Sequence, residues 1–339
     1  MRALVVGGSG FIGLHVVDAL LASGAEVRVT RRGPTPTMAL RKRPVELVPA
    51  NMDDRASLTA AMRGCDVAFV VAGYYPRYST DLAASLRTGA VGIRNACDAA
   101  IATGVRLVYT SSVAALGPAR DGAVADELDV APADPAEGVY PTVKKAMERQ
   151  LDMARARGLD AVSLLLGGCL GPGDHRLGTN GLLVVLLRKL LPFRMDGWVN
   201  VLSVRDAAKA HVAAIGAKGP RYCVGGHDAR IDDLFAHAAA RYGVTLDAPR
   251  VTIARAQELA ALAEREAEPR RARVPVPREL VDLVAMGKPV SRALAERELG
   301  MTWTPLDDAL DEARAWLVRC GVVRSTEATR HPKETHDAR

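Results

Sequence analysis

Apolar residues in the first half of the chain form short unbroken runs that alternate with helically spaced stretches. Ala3 to Val6 is a compact apolar run ending in glycines, the pattern of a strand buried on both faces. Residues 11–23 place Phe11, Ile12, Val16, Val17, Leu20 and Leu21 at helical spacing, and Gly24 closes that helix as a C-cap. Val27–Val29 reads as a second strand, Leu47–Val48 as a third and Val67–Val71 as a fourth, with a helix over 57–62. A helix over about 81–103 stops at Gly104 and leads into a fifth strand, Leu107–Tyr109. A polar, proline-containing stretch at 118–135 precedes a helix at about 140–157 and a sixth strand, Ala161–Leu166. Strands alternating with helices predict an α/β chain with a doubly wound parallel sheet.

Beyond residue 167 the alternation weakens. Gly171–Asp174 reads as a loop; helices are expected at about 180–191, 206–216, 231–242, 254–268 and 305–319, with a strand at 222–224. This pattern predicts a first domain over 1–166, with 196–216 returning to it, and a smaller mixed lobe over 167–323. The polar tail, 324–339, lacks apolar periodicity and is expected to be disordered.

Composition narrows the classes. The 339 residues are 49% hydrophobic and 25% charged, which is ample for a core. The net charge of +6 is modest, and aromatics make up only 4%, so no basic stripe interleaved with aromatics points to nucleic acid. Cys65, Cys97, Cys169, Cys223 and Cys320 lie far apart without a CxxC and read as free thiols. The histidines have no metal-ligand spacing, so no metal is expected. The most apolar run, Leu182–Leu187, is far short of the ~20 residues a bilayer needs. With no signal-peptide pattern at the N-terminus, the expected location is cytoplasmic and no membrane partner is expected.

Chemistry concentrates in three places. Gly7, Gly10 and Gly13 stand between the first strand and first helix with Ser9, Phe11 and Ile12 among them. In that context the first glycine makes the tight turn and the second lets a pyrophosphate approach the backbone. The third lets helix and strand pack, with the helix N-terminus facing the phosphates. This is a Rossmann-type dinucleotide turn. Tyr140 and Lys144, four apart on a predicted helix, share a face, and Pro141 is tolerated in the first turn. An ammonium beside a tyrosine favours the phenolate, so the pair can deliver or take up a proton near neutral pH. Ser111 and Ser112 follow the fifth strand.

The GxxGxxG spacing, followed in order by Ser-Ser and YxxxK, resembles the extended branch of the short-chain dehydrogenase/reductase superfamily, the NAD-dependent epimerase/dehydratase group. The resemblance spans roughly residues 2–320. It includes the serine segment Tyr109–Gly117, the Gly-Pro-Gly-Asp loop at 171–174, Asn200 to Asp206, Gly225-Gly226 and Leu299-Gly300. Overall the chain looks most like the dihydroflavonol-reductase-like subgroup, which includes hopanoid-associated epimerase-like proteins and 3β-hydroxysteroid dehydrogenases.

That resemblance implies roles. Ser112 would hold the substrate oxygen, Tyr140 would act as proton donor, and Lys144 would tune Tyr140 and bind the nicotinamide ribose. Ser111 would be structural, on the substrate side of the strand end. Ala72 and Gly73 close the fourth strand where the cofactor passes, and Asn51 with the backbone of Met52 takes the place of an adenine-contacting Asp. NAD-specific members carry an acidic residue after the second strand; here Arg31 and Arg32 stand there and can clamp a 2′-phosphate, so NADP(H) is the expected cofactor with NAD(H) tolerated. Two family features are missing: Val6 replaces a Thr, and Gly89 stands where an Asn usually anchors a water relay.

The substrate side is less marked. Tyr74, Tyr75 and Arg77 follow the fourth strand and suit an apolar or ring-containing carbonyl compound. Sugar-nucleotide enzymes of the family place an Arg where this chain has Val199, beside Trp198, which argues against a sugar nucleotide. The expectation is a carbonyl/alcohol oxidoreductase acting on a small molecule, with a homodimer left open. The alternatives are an epimerase or dehydratase with retained NAD(P), and a non-catalytic NADP-sensing regulator.

Overall fold

In the computed structural model the chain builds two sheets joined at a cleft. The structure describes residues 1–33, 38–74, 81–120, 122, 124–270, 272 and 274–324. The expectations for Tyr75, Arg77 and the tail at 325–339 lie outside the described residues.

The elements of the first half are β1 (Arg2–Val6), α1 (Phe11–Ala22), β2 (Glu26–Arg31), β3 (Val45–Pro49), α2 (Arg55–Met62) and β4 (Val67–Val70). They continue with α3 (Leu82–Thr103), β5 (Arg106–Ser112), α4 (Val139–Arg155) and β6 (Ala161–Leu166). The rest comprises β7 (Gly168–Leu170), α5 (Asn180–Leu187), β8 (Trp198–Ser203), α6 (Val204–Ala213), β9 (Arg221–Val224), β10 (His227–Arg230) and α7 (Ile231–Tyr242). The helices α8 (Ile253–Ala267), α9 (Arg278–Ala285), α10 (Ala293–Leu299) and α11 (Leu306–Arg319) complete it.

The large sheet has seven strands in the order β3-β2-β1-β4-β5-β6-β9, and every neighbouring pair is parallel. Along β1, Ala3 and Val5 face the layer that holds α1 and α6, while Leu4 and Val6 face the layer of α2, α3 and α4. A strand apolar on both faces therefore sits between two helical layers, as an unbroken hydrophobic run predicts. The strand order reverses between β1 and β4, which opens a crevice at their carboxyl ends.

The second sheet is β10-β8-β7, with β10 antiparallel and β7 parallel to β8. It shares a core with α5, α7, α8, α9 and α11. The lobes interleave in sequence more than the predicted division at 166/167 allows. The strand at 222–224, assigned to the second lobe, pairs with β6 as the edge of the large sheet. Of the 196–216 segment, α6 returns to pack on the α1 layer, whereas β8 belongs to the small sheet. Residues from α10 join the first core as well. Asp206, buried at the start of α6, ties α6 to the segment before α11 by accepting hydrogen bonds from the Thr304 amide at 2.7 Å and hydroxyl at 2.9 Å. No helix among the described residues is long and apolar enough to cross a membrane.

Candidate active site

The crevice at the ends of β1, β4 and β5 opens into a cleft of about 1540 Å³ that continues between the two lobes. Its floor begins at the β1–α1 turn. Gly7 has φ +90°, and a Cβ there would lie 2.7 Å from the Ala72 amide nitrogen, so only glycine lets this turn approach the end of β4. A Cβ on Gly13 would lie 2.1 Å from the Gly7 carbonyl oxygen, which explains why α1 can start so close to β1. Gly10 is the N-cap of α1 with extended backbone; no side chain caps the helix and its first turn carries no acidic residue. Free amides and the positive end of the macrodipole therefore face the cleft. Gly7, Ser9, Gly10, Phe11 and Ile12 line it; Gly13 does not, and acts through packing. The Gly7 amide donates to Thr30 Oγ1 at 3.4 Å, so the next strand supplies a hydroxyl where Val6 cannot.

Arg31, Arg32, Asn51, Met52, Ala72, Gly73 and Tyr74 also border the cleft. Both arginines are exposed at the end of β2. The Met52 carbonyl is held by Asn95 Nδ2 at 2.9 Å, a supporting contact with no signal in the spacing of the sequence. Tyr74 Oη lies 3.4 Å from Ser85 Oγ.

Ser111, Ser112, Tyr140 and Lys144 lie where β5 and α4 converge. Tyr140 and Lys144 share one face of α4, and the Lys144 ammonium is 5.6 Å from the centroid of the Tyr140 ring. Lys144 is buried, and a Cβ on Gly73 would lie 3.3 Å from its Nζ. Burial pulls the Lys144 amine down to about 8, and the Glu148 carboxylate acts in the opposite sense. Ser112 Oγ accepts from the Ala114 amide at 3.2 Å, which leaves its own proton free to donate. Ser111 Oγ is buried without a partner among the described residues and borders the same cleft. Thr110 is committed elsewhere: His211 donates from Nδ1 to the Ala207 carbonyl at 2.7 Å, so its Nε2 accepts the Thr110 hydroxyl, also at 2.7 Å. Burial holds that imidazole down to about 4.

Gly89, which stands where the family's relay Asn is absent, lines the cleft. A Cβ there would meet Val143 Cγ1 at 2.9 Å and Met147 Sδ at 3.3 Å, so a larger residue would require these two α4 side chains to shift.

The opposite wall comes from the second lobe. Trp198 and Asn200 on β8 and Leu280, Leu283 and Val284 on α9 line it, with Met286 to Val290 following. Lys288 Nζ donates to the carbonyls of Leu116 at 3.0 Å and Gly117 at 2.9 Å, tying this wall to the loop that follows Ser112. The Gly171–Asp174 loop is braced by buried Asn180, whose side chain bonds both the Gly171 amide at 3.1 Å and its carbonyl at 2.7 Å. His15 Nε2 donates to the Pro172 carbonyl at 2.9 Å, which pins the loop over α1.

Residues 3–225 match the family described as NAD dependent epimerase/dehydratase. The chain belongs to that family. Its fold and motif order are those of an extended short-chain dehydrogenase/reductase, an NAD(P)-dependent oxidoreductase. A Synechocystis protein named as a dihydroflavonol 4-reductase is 30% identical over 331 residues, covering 95% of this chain and 96% of that one. Sterol demethylase protein B of Methylococcus capsulatus is 29% identical over 346 residues, covering 95% and 100%. Among solved structures, gox2253 superposes with a TM-score of 0.81 at 27% identity over 95% of this chain and 99% of that one. This epimerase/dehydratase family member thus matches relatives along nearly its whole length, second lobe included.

Proposed function

We propose that the chain is an NADPH-dependent carbonyl reductase, reversible toward the alcohol, for an apolar or ring-containing small molecule. One observation carries the reading: Ser112, Tyr140 and Lys144 share a single cleft with the uncapped N-terminus of α1.

The residues present fit a nicotinamide dinucleotide. The glycine turn leaves no room for side chains where a pyrophosphate would lie, and the α1 amides want an anion. The buried Lys144 ammonium has no acceptor within bonding distance among the described residues, which suits ribose hydroxyls. At the other end Arg31 and Arg32 offer two guanidiniums to a 2′-phosphate, and β2 ends without a carboxylate. This favours NADP(H), with NAD(H) tolerated. Asn51 and the Met52 backbone would hold the adenine.

The cofactor, when bound, supplies the two-electron reduction of the carbonyl carbon. The protein supplies orientation and a proton. The Ser112 hydroxyl holds the substrate oxygen. Tyr140 hands its proton to that oxygen, and the Lys144 ammonium stabilises the phenolate left behind. The second lobe excludes water with Leu182, Val199, Leu283, Val284, Met286 and Val290, and it offers no arginine at Val199 to hold a diphosphate. A neutral, largely apolar carbonyl compound suits that wall better than a sugar nucleotide. The same reading includes a cytoplasmic homodimer and no nucleic-acid partner.

The test is a panel of aryl, alicyclic and polycyclic ketones followed by NADPH absorbance, beside binding isotherms for NADP and NAD. Stoichiometric NADPH loss with at least one ketone is expected. Co-purified, non-exchanging NAD(P) with no net NADPH loss would replace this reading by an epimerase or dehydratase. Tight NADPH binding with no chemistry on any substrate would favour a sensor, although such a protein has no need of the Tyr140/Lys144 pair.

A further inference from the structure

Side chains alternate along β8. Val199 and Val201 pack into the core of the second lobe, so Trp198 and Asn200 point the other way, and both border the cleft. Across the strand pair, Asn200 stands opposite Asp228 and Trp198 opposite Arg230, whose guanidinium lies 4.3 Å from the centroid of the indole ring. Asn200 is only 8% exposed. Its Nδ2 donates to Asp228 Oδ1 at 2.5 Å and to the Lys288 carbonyl at 3.0 Å. A carboxylate and a carbonyl only accept, so both amide protons are spent and the amide cannot turn over.

That orientation leaves Asn200 Oδ1 as the free end. It accepts no hydrogen bond among the described residues, and it keeps contact with solvent, which at this wall is the cleft. Asn180 is the contrast: equally buried, it spends both its oxygen and its nitrogen on Gly171, as a bracing amide does. The partners of Asn200 are themselves held. Asp228 Oδ2 accepts from the Val290 amide at 3.1 Å, and Lys288 Nζ reaches the carbonyls of Leu116 and Gly117 in the loop after Ser112. The large sheet sets the spacing. Leu166 of β6 pairs with Ser112, and a Cβ on the next residue, Gly167, would lie 2.8 Å from the Asn200 carbonyl oxygen. Two strand spacings, roughly 10 Å, thus separate the backbones of Ser112 and Asn200.

We propose that Asn200 Oδ1 is a specificity-determining acceptor for a hydroxyl on the substrate, at the end remote from the reduced carbonyl, with the Trp198 indole as the flat surface beside it. The substrate is then a ring compound that carries a ketone and, across the ring system, a hydroxyl. Which end is reduced rests on the carbonyl-reductase reading; the acceptor on β8 does not. A substrate hydroxyl takes the place of water at Oδ1, whereas an analogue without it leaves a desolvated acceptor unpaired. That difference is worth about 10-fold in affinity.

The full chain, loaded with NADP, is titrated by calorimetry with two matched pairs of ketones. One pair is 1-tetralone and 6-hydroxy-1-tetralone; the other, longer pair is 4-phenylcyclohexanone and 4-(4-hydroxyphenyl)cyclohexanone. In at least one pair the hydroxylated ketone should bind the wild type about 10-fold tighter than its parent, and Asn200→Leu should bind both members alike. Equal affinities within both pairs in the wild type, or a preference that survives in Asn200→Leu, overturns the proposal. NADPH binding reports whether the variant has folded. Should Asn200→Leu not fold, Asn200→Ala, which lets water reach Asp228 and the Lys288 carbonyl, replaces it under the same criteria. If no ketone binds, the reductase reading fails, and phenol against toluene reads the acceptor without a carbonyl. A phenol preference lost in Asn200→Leu then supports the assignment; equal binding of the two by the wild type, or a preference kept by the variant, overturns it.

Discussion

Replacing Gly13 or Gly10 with alanine separates what the glycine turn does for the fold from what it does for the ligand. A Cβ on Gly13 would lie 2.1 Å from the Gly7 carbonyl oxygen, 2.8 Å from its carbon and 2.9 Å from Gly8 Cα. All three are backbone atoms of the turn, so no side chain can rotate away, and α1 must lift from β1 by an ångström or more. Overpacking a tight core costs about 1–3 kcal/mol, and a rigid backbone neighbour puts Gly13→Ala at the upper end, about 3 kcal/mol. With an unfolding entropy of ~2.1 cal/mol/K per residue, a chain of this length loses roughly 4 °C in Tm. Gly10 is different. Its φ is −80° and its Cβ would meet only the Gly7 carbonyl oxygen, at 3.3 Å. Gly10→Ala should therefore cost no more than about 1 kcal/mol of stability. The new methyl would, however, stand at the α1 N-terminus where the pyrophosphate is proposed to bind. Losing one or two charge-assisted hydrogen bonds, about 1.5–3 kcal/mol each, weakens nucleotide binding at least ~10-fold. Thermal melts and NADPH fluorescence titrations on both variants read the two effects separately. A Gly13→Ala protein with the wild-type Tm, or a Gly10→Ala protein with the wild-type Kd, would refute the reasoning.

Arg31→Ala and Arg32→Ala should each weaken NADPH binding about 10-fold or more, the loss of one charge-assisted contact, and leave NADH nearly unchanged; parallel losses for both nucleotides would show that the pair does not read the 2′-phosphate. His211 gives a pH dependence of stability. Its folded value is depressed to about 4 from 6.5, so the fold favours the neutral ring. Its contribution is complete above pH 6.5 and is lost as pH falls toward 4, about 3 kcal/mol in all. Urea midpoints measured across that window should fall more steeply in the wild type than in His211→Gln, and equal slopes would count against it.

The first half was legible because its physics is local. A strand buried on both faces is largely an apolar run, as at Ala3–Val6 and Ala161–Leu166, and many helices end at a glycine with positive φ, as at Gly104. The site motifs lie in this half for the same reason: a turn's glycines and a helix's i, i+4 pair are fixed within a few residues. The second lobe was harder to read. Its strands β7, β8 and β10 are three to six residues long, and β10 is only half-buried, so it shows no apolar run. The short helices α9 and α10 went unpredicted, although Leu280, Leu283 and Val284 of α9 line the cleft. No spacing rule tells that residues 221–224 return to the first sheet, or that Lys288 ties the lobes together through the carbonyls of Leu116 and Gly117. Gly89 and Glu148 illustrate the same limit. The missing relay Asn was visible as an absence, but the close packing of Gly89 on Val143 was not, and Glu148 was indistinguishable from an ordinary surface glutamate until α4 turned it inward.

Tyr140 is proposed to supply the proton for carbonyl reduction in this cleft. The most direct measurement is Tyr140→Phe compared with wild type on whichever ketone the wild type reduces, with NADPH binding measured on the same samples. An unchanged fold is expected, with NADPH affinity within a few-fold of wild type and a fall in kcat on the order of 10²-fold or more, the usual worth of a positioned acid. A Tyr140→Phe enzyme that binds NADPH normally and turns over at the wild-type rate would contradict it.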